Sequence, residues 1–400
     1  MSTDDIEEYK VLSSVLDAHK NYGNWANEQL IISKQRKYES LNNEEKSLIE
    51  WFPNYLDQLK HSIDINSSYF TNIADVMGSI WGAPESDTWH KASSLDFDKI
   101  RSIMIQYVRE WSSDGHTERE VSFGRILDFA EKAFPVVTER PNVEVLVPGS
   151  GLGRLVVEFV KRGFSTQGNE LSYHMLLNSN FILNNTYCAN NFVLCPFIHK
   201  NSNVEKRNYQ CRQVYFPDFN PGDISLINEQ YPDIPVADLM SMIAGGFVDL
   251  YGPPDRGEIS DTYTNDPLAV EFRKQNANKF HIIATCYFLD TAANIIDYLK
   301  TIKYSLREDG YWINFGPLLW HFEDDNNEYT TKTPDQSSPQ KVPFKGLELS
   351  KDDLIELIEK MGFEFVVHES NLNSKYGGDI KSLGSWNYKC EYWVCRKKIL

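Results

Sequence analysis

Residues 143–155 read VEVLVPGSGLGRL. An apolar run from Val143 to Val147 ends in three glycines at alternate positions, Gly149, Gly151 and Gly153, and Arg154 to Lys161 then continues at helical spacing to Gly163, a suitable C-cap. A strand apolar at every position but Glu144 calls for cover on both faces, and glycines spaced this way let a chain turn tightly and lie close to a ligand. The feature therefore commits the chain to strand–turn–helix units on a mostly parallel sheet.

The downstream pattern agrees. Phe164 to Gln167 fits a second strand, ending at Gly168-Asn169-Glu170, and HIIATCYFLD (281–290) and YWINFGP (311–317) fit two more. Ala292, Ile295, Ile296 and Leu299 mark a helix between these two, and Ser350 with Asp353 resembles a capping box ahead of Leu354, Leu357, Ile358 and Met361. EFVVHE (364–369) and YKCEYWVCRK (388–397) supply a final strand pair. The expected architecture is α/β: a Rossmann-like sheet with helices on both faces over 141–400, with a polar mobile loop or insertion at 323–340.

Residues 1–140 read as helix after helix. Tyr9, Leu12, Val15, Leu16 and His19 form one stripe, and Leu48, Trp51, Phe52, Tyr55, Leu56 and Leu59 continue the style around Pro53. Ile100, Ile103, Met104, Tyr107, Val108 and Trp111 form the clearest stripe, and Gln106 and Arg109 sit off it at i, i+3, aimed together at something polar.

With a net charge of −17, the chain is not expected to bind nucleic acid or anionic membranes non-specifically. Its six cysteines form no C-x-x-C pair, so no zinc site is expected and a reducing compartment, cytosol or nucleus, is. MSTDDIEEYK lacks a basic region followed by an apolar stretch, so no signal peptide or membrane span is expected.

The glycine turn bears on the ligand. A dinucleotide fingerprint would need its third glycine at position 154, which is Arg154, whereas G-x-G-x-G is common in S-adenosylmethionine enzymes. Glu170, at the end of the second strand, suits a ribose acid, since a carboxylate accepts from both ribose hydroxyls. Asp290 follows a strand at the sheet's carboxyl edge, where ligands bind in open α/β sheets, but it equally suits an N-cap for a helix starting at Thr291.

Several stretches together resemble the carnosine N-methyltransferase family, also called N2227-like proteins. They are QYVREWSSDGHTERE (106–120), VLVPGSGLGRL (145–155), QGNELSYHMLLNSNFILN (167–184), SMIAGGFVDLY (241–251), TCYFLDTAANIIDYLKTI (285–302) and INFGPLLWHFED (313–324). The resemblance implies a class I methyltransferase that moves the methyl of S-adenosylmethionine to the imidazole of carnosine, giving anserine, with no metal and as a homodimer. It implies cofactor contacts from Gln106, Arg109, Gly149, Glu170, Phe247 and Cys286, and substrate contacts from Asp290, His321 and Tyr388. Gly246 departs from the family, which usually carries an acidic residue there, so a carboxylate near the adenine is missing or replaced. Methyl transfer needs a neutral imidazole, and a carboxylate accepting the other ring N–H would stabilise the charge that develops; Asp290 is the candidate, though it also suits the dipeptide's amine. The rival readings are a methyltransferase for protein histidine, a nicotinamide oxidoreductase, and a non-catalytic S-adenosylmethionine-binding protein.

Overall fold

The computed structural model describes residues 3–254, 267–323, 328–331, 340–343 and 346–398. Contacts divide the chain into two compact units, neither contiguous in sequence. One comprises 1–119, 172–223 and 375–386; the other comprises 120–171, 224–374 and 387–400. The single boundary expected at 140/141 does not coincide with this division. Periodicity reports which face of an element is buried but not which distant segment buries it.

The second unit is built on seven strands: β1 (Glu144–Pro148), β2 (Ser165–Glu170), β3 (Met240–Ala244), β4 (Phe280–Cys286), β5 (Leu306–Gly316), β6 (Phe363–Ser374) and β7 (Tyr388–Lys397). Their order across the sheet is β6-β7-β5-β4-β1-β2-β3. β3, β2, β1, β4 and β5 run parallel, and β7 pairs antiparallel with both β5 and β6. The Rossmann-like reading and its closing strand pair are thus both present. Alternation along the strands fills both faces. Leu146, Ile283, Trp312 and Trp393 pack with Leu299 and Ile302 of helix Ile295–Ser305 and with Leu354 and Ile358 of helix Lys351–Lys360. Val145, Val147, Ile282, Ala284, Ile313 and Phe315 pack with Ile126 and Ala130 of helix Arg125–Ala133 and with Leu155, Val156 and Phe159 of helix Arg154–Val160.

The first unit is largely helical, as expected. Leu12, Val15, Leu16 and His19 of helix Thr3–Ala26 are buried, as are Ile100, Ile103, Met104 and Tyr107 of helix Ser94–Trp111. The middle stripe fares differently. Pro53 sits in the first turn of helix Phe52–Ile80, and Leu59 is buried, but Leu48 is 76% exposed and Trp51 45%. Leu48 closes a separate six-residue helix, and Trp51 carries the Arg207 guanidinium 4.0 Å from its ring centroid, so this part of the stripe is a cation-bearing surface rather than core. Within the expected loop at 323–340, Glu328–Thr331 pairs antiparallel with Gln340–Pro343; its other residues lie outside the described set, apart from Glu323. Among the described residues no helix is long and apolar enough to cross a membrane.

Candidate active site

The glycine turn joins β1 to helix Arg154–Val160. Gly149, Gly151 and Gly153 have φ of +64°, +56° and +84°, the left-handed region that L side chains avoid. Gly149 is constrained twice, because a Cβ there would stand 2.3 Å from Cδ2 of Phe288. The turn is fastened to the tip of β2, where the Ser150 N–H donates to the Asn169 carbonyl at 3.0 Å. The Asn169 side chain in turn donates to the carbonyls of Ile243, at 3.2 Å, and Gly245, at 2.9 Å, tying in the tip of β3.

Glu170 closes β2 beside this turn. Its Oε2 accepts the Gly151 N–H at 3.0 Å and its Oε1 accepts the Leu171 N–H at 2.9 Å, so the carboxylate is oriented by backbone on both oxygens. A carboxylate has about four acceptor positions, which leaves capacity for a pair of vicinal hydroxyls. A left-handed glycine cradle with an acid fixed at its lip fits an adenosyl cofactor without rearrangement of the backbone.

At the tip of β3, Gly245 has φ +134°, and its N–H donates to the Glu170 carbonyl at 2.9 Å. Gly246 is the N-cap of the short helix Phe247–Tyr251. Phe247 is buried and meets Phe288 edge-on at 5.4 Å, while Phe288 stacks on Tyr298 at 4.8 Å. These three rings form an apolar wall that reaches Gly149. Burial raises the Tyr298 phenol, the Thr291 hydroxyl 3.4 Å from it opposes that, and the negative charge of Glu170, Asp249 and Asp290 adds to the rise. Phe288 and Tyr298 carry no local signal; only the fold brings them to the glycine turn.

Cys286 ends β4 in register with Phe315. The chain then turns through Tyr287, at φ +52°, into the single 3-10 turn Leu289–Thr291 that holds Asp290. Asp290 is buried and its Oδ2 accepts the Leu319 N–H at 3.1 Å. Burial pushes its carboxyl up to about 6, against the opposing pull of the Leu319 N–H and His321. The Asp290 carbonyl accepts the His321 N–H at 3.0 Å, which brings the two expected substrate residues together, with His321 exposed. The N-cap alternative for Asp290 is overturned. The helix begins at Ile295, and its cap is Asn294, whose side chain accepts the Ile296 N–H at 3.0 Å. Asp290 therefore has no helix to cap. Tyr388 opens β7 opposite Ser374, half-buried, and packs on the other face of the sheet with Tyr287 and Cys286.

Gln106 and Arg109 lie in the first unit. As their spacing suggests, they share a target: the Gln106 amide donates to the Tyr376 hydroxyl, and the Arg109 guanidinium stacks 4.6 Å from the Tyr376 ring centroid. Arg109 Nε also donates to Glu118 at 2.6 Å, and Glu118 accepts the Gly377 N–H at 3.0 Å. Gln106 Oε1 is buried and accepts no hydrogen bond among the described residues. Glu118 and Tyr376 are further members of this group that spacing does not reveal, since Tyr376 is 270 residues from Gln106. Among the described residues no group of three or more His, Cys, Asp or Glu is placed to hold a metal.

Comparison with known proteins places this arrangement. The sequence model of the carnosine N-methyltransferase family matches residues 86–399. The chain is 34% identical to the carnosine N-methyltransferase of Schizosaccharomyces pombe over 98% of its own length and 97% of that protein's. It is 32% identical to the Rattus norvegicus enzyme of the same name, covering 96% of this chain and 85% of that one. It is 30% identical to the Dictyostelium discoideum enzyme, covering 98% and 76%. Over nearly its whole length, therefore, the chain belongs to the carnosine N-methyltransferase family.

Proposed function

We propose that the protein methylates the imidazole ring of carnosine, β-alanyl-histidine, to give anserine, with S-adenosylmethionine as methyl donor. One juxtaposition supports this best: a glycine-cradled acid, Glu170, at the tip of β2, and a buried acid, Asp290, beyond the tip of β4, both at the carboxyl edge of one parallel sheet. Glu170 holds the ribose hydroxyls, with Gly149 giving the backbone its close approach, and Phe247 and Cys286 line the site from opposite faces of the sheet.

When bound, the cofactor supplies an electrophilic methyl on a sulfonium. The protein must hold the ring nitrogen in line with it, which is a positioning task. A free imidazole has a pKa near 6.5, so roughly three-quarters is neutral at pH 7 and no strong base is required. Asp290 accepts the N–H of the other ring nitrogen, which fixes the tautomer and stabilises the imidazolium as it forms. His321 and Tyr388 hold the rest of the dipeptide. The chemistry calls for no metal.

Incubation of the purified protein with S-adenosylmethionine and carnosine, followed by mass spectrometry of the dipeptide, tests the reading. A methyl gain on the imidazole is expected; cofactor binding without that product would overturn it. The same reading includes a homodimer and a cytosolic or nuclear location. The first is supported by the family resemblance and the second by six cysteines that form no disulfide. Sedimentation velocity and fractionation check them, and a monomer or a secreted protein would remove each.

A further inference from the structure

Position 246, where the family resemblance implies an acid near the adenine, is glycine here, yet the space is filled. A Cβ built on Gly246 would stand 2.3 Å from Oδ2 of Asp249, so the Asp249 carboxylate occupies the start of the path that a side chain from 246 would take. Asp249 lies three residues along, in the first turn of helix Phe247–Tyr251, whose N-terminal end favours negative charge. The tip of β3 is the neighbour of Glu170: Ala244 pairs in register with Glu170, and the Gly245 N–H donates to its carbonyl. β3 is therefore the neighbour of Glu170 on the side away from β1, about one strand spacing, roughly 4.8 Å, from it. Asp249, beside Gly246, and Glu170, beside Ala244 and Gly245, thus stand at the ends of neighbouring strands.

We infer that Asp249 accepts the 6-amino group of the cofactor's adenine, delivering from the helix the carboxylate that position 246 does not carry. The inference rests on the reading of Glu170 and the glycine turn as the adenosyl site. A 6-amino group is a donor that a carboxylate accepts well, whereas a 6-oxo group in its place presents only an acceptor and is repelled. The site therefore discriminates adenine from hypoxanthine.

Calorimetric titration of the full-length protein with S-adenosylhomocysteine and with its 6-oxo counterpart, S-inosylhomocysteine, tests this. The unaltered protein is expected to bind the adenosyl compound roughly 10- to 100-fold more tightly, the range for one hydrogen bond to a charged group. Asp249→Asn, whose amide can donate as well as accept, is expected to bring that ratio close to one. The double change Gly246→Asp with Asp249→Ala removes the collision and is expected to restore the preference. An unaltered protein with no preference, or an Asp249→Asn variant that keeps it, overturns the inference. So does a variant that only lowers the melting temperature with the ratio intact, because Asp249 would then serve as a helix-capping residue alone. Binding of neither compound by the unaltered protein would instead sink the adenosyl-site reading. Should Asp249→Asn not fold, the ratio in the unaltered protein and in the double variant decides.

Discussion

At the scale of single residues, Asp290 couples stability to chemistry. Its carboxyl stands at about 6 in the fold against 3.8 as the ordinary value, because burial disfavours the charge. A raised folded value means that the folded state holds the proton more tightly than the unfolded chain. Stability is therefore gained as pH falls from about 6 toward 3.8 and is withheld above about 6, by ~3 kcal/mol at two pKa units. Asp290→Asn is expected to raise the urea midpoint at pH 8 and to leave it nearly unchanged at pH 4. The same variant is expected to lose roughly 100-fold in kcat and the part of the rise in rate near pH 6 that belongs to the carboxylate, leaving only the titration of the substrate's imidazole. A variant with full turnover would remove the charge-stabilising role. Glu170 has a separate readout. Glu170→Ala removes the acceptor of the Gly151 N–H and, on the proposed reading, of two ribose hydroxyls, and is expected to weaken S-adenosylmethionine binding by roughly 10- to 100-fold in calorimetry, with the fold retained.

At the scale of elements, the site depends on how strands end. The turn after β1 succeeds only with glycine at 149, where φ is +64° and Phe288 fills the place of a Cβ. Gly149→Ala is expected to cost about 2 kcal/mol in urea unfolding, from backbone strain plus displacement of the ring, and to weaken cofactor binding with it. The beginning of this site was readable in the chain itself: three glycines after an apolar strand are a local demand. The element after β4 was not. Asp before a helical stretch suits a cap on propensity alone, but the 3-10 turn Leu289–Thr291 delays the helix, and Asn294 caps it instead. Asn294→Ala is expected to cost about 1 kcal/mol and to lower the melting temperature without changing KM for carnosine, which separates the cap from the substrate residue beside it.

At the scale of the whole molecule, the chain passes between its two units five times, and the connection from β6 to β7 lends 375–386 to the first unit. Within that unit the segment is held by the Arg212–Asp379 ion pair at 2.8 Å, both side chains largely buried, by the Leu383 N–H to the Asn203 carbonyl, and by Tyr376 under Arg109. Asp114 stands at a longer 3.8 Å from Arg212, so removing Asp379 leaves the guanidinium only partly compensated. Asp379→Ala is expected to make 375–386 the first site of limited proteolysis, several-fold faster than in the unaltered protein. Unchanged cleavage would show that Tyr376 and the backbone bonds suffice to hold it.

The sequence by itself determined what depends on neighbours in the chain. It set the alternating and continuous apolar runs of the sheet, the glycine turn with Glu170 at the next strand's end, and the helical stripes of the first hundred residues. Each is a demand met within a few residues, by dihedral angle or by the side-chain period of a helix or strand. Tertiary structure decided the rest. It grouped 172–223 and 375–386 with the N-terminal helices, left Leu48 in solvent, and stacked Phe288 and Tyr298 against the glycine turn. It also set the Asp249 carboxylate where a side chain at 246 would begin. Those outcomes depend on which segments meet in space, and burial and charge act between atoms near in space whatever their separation along the chain.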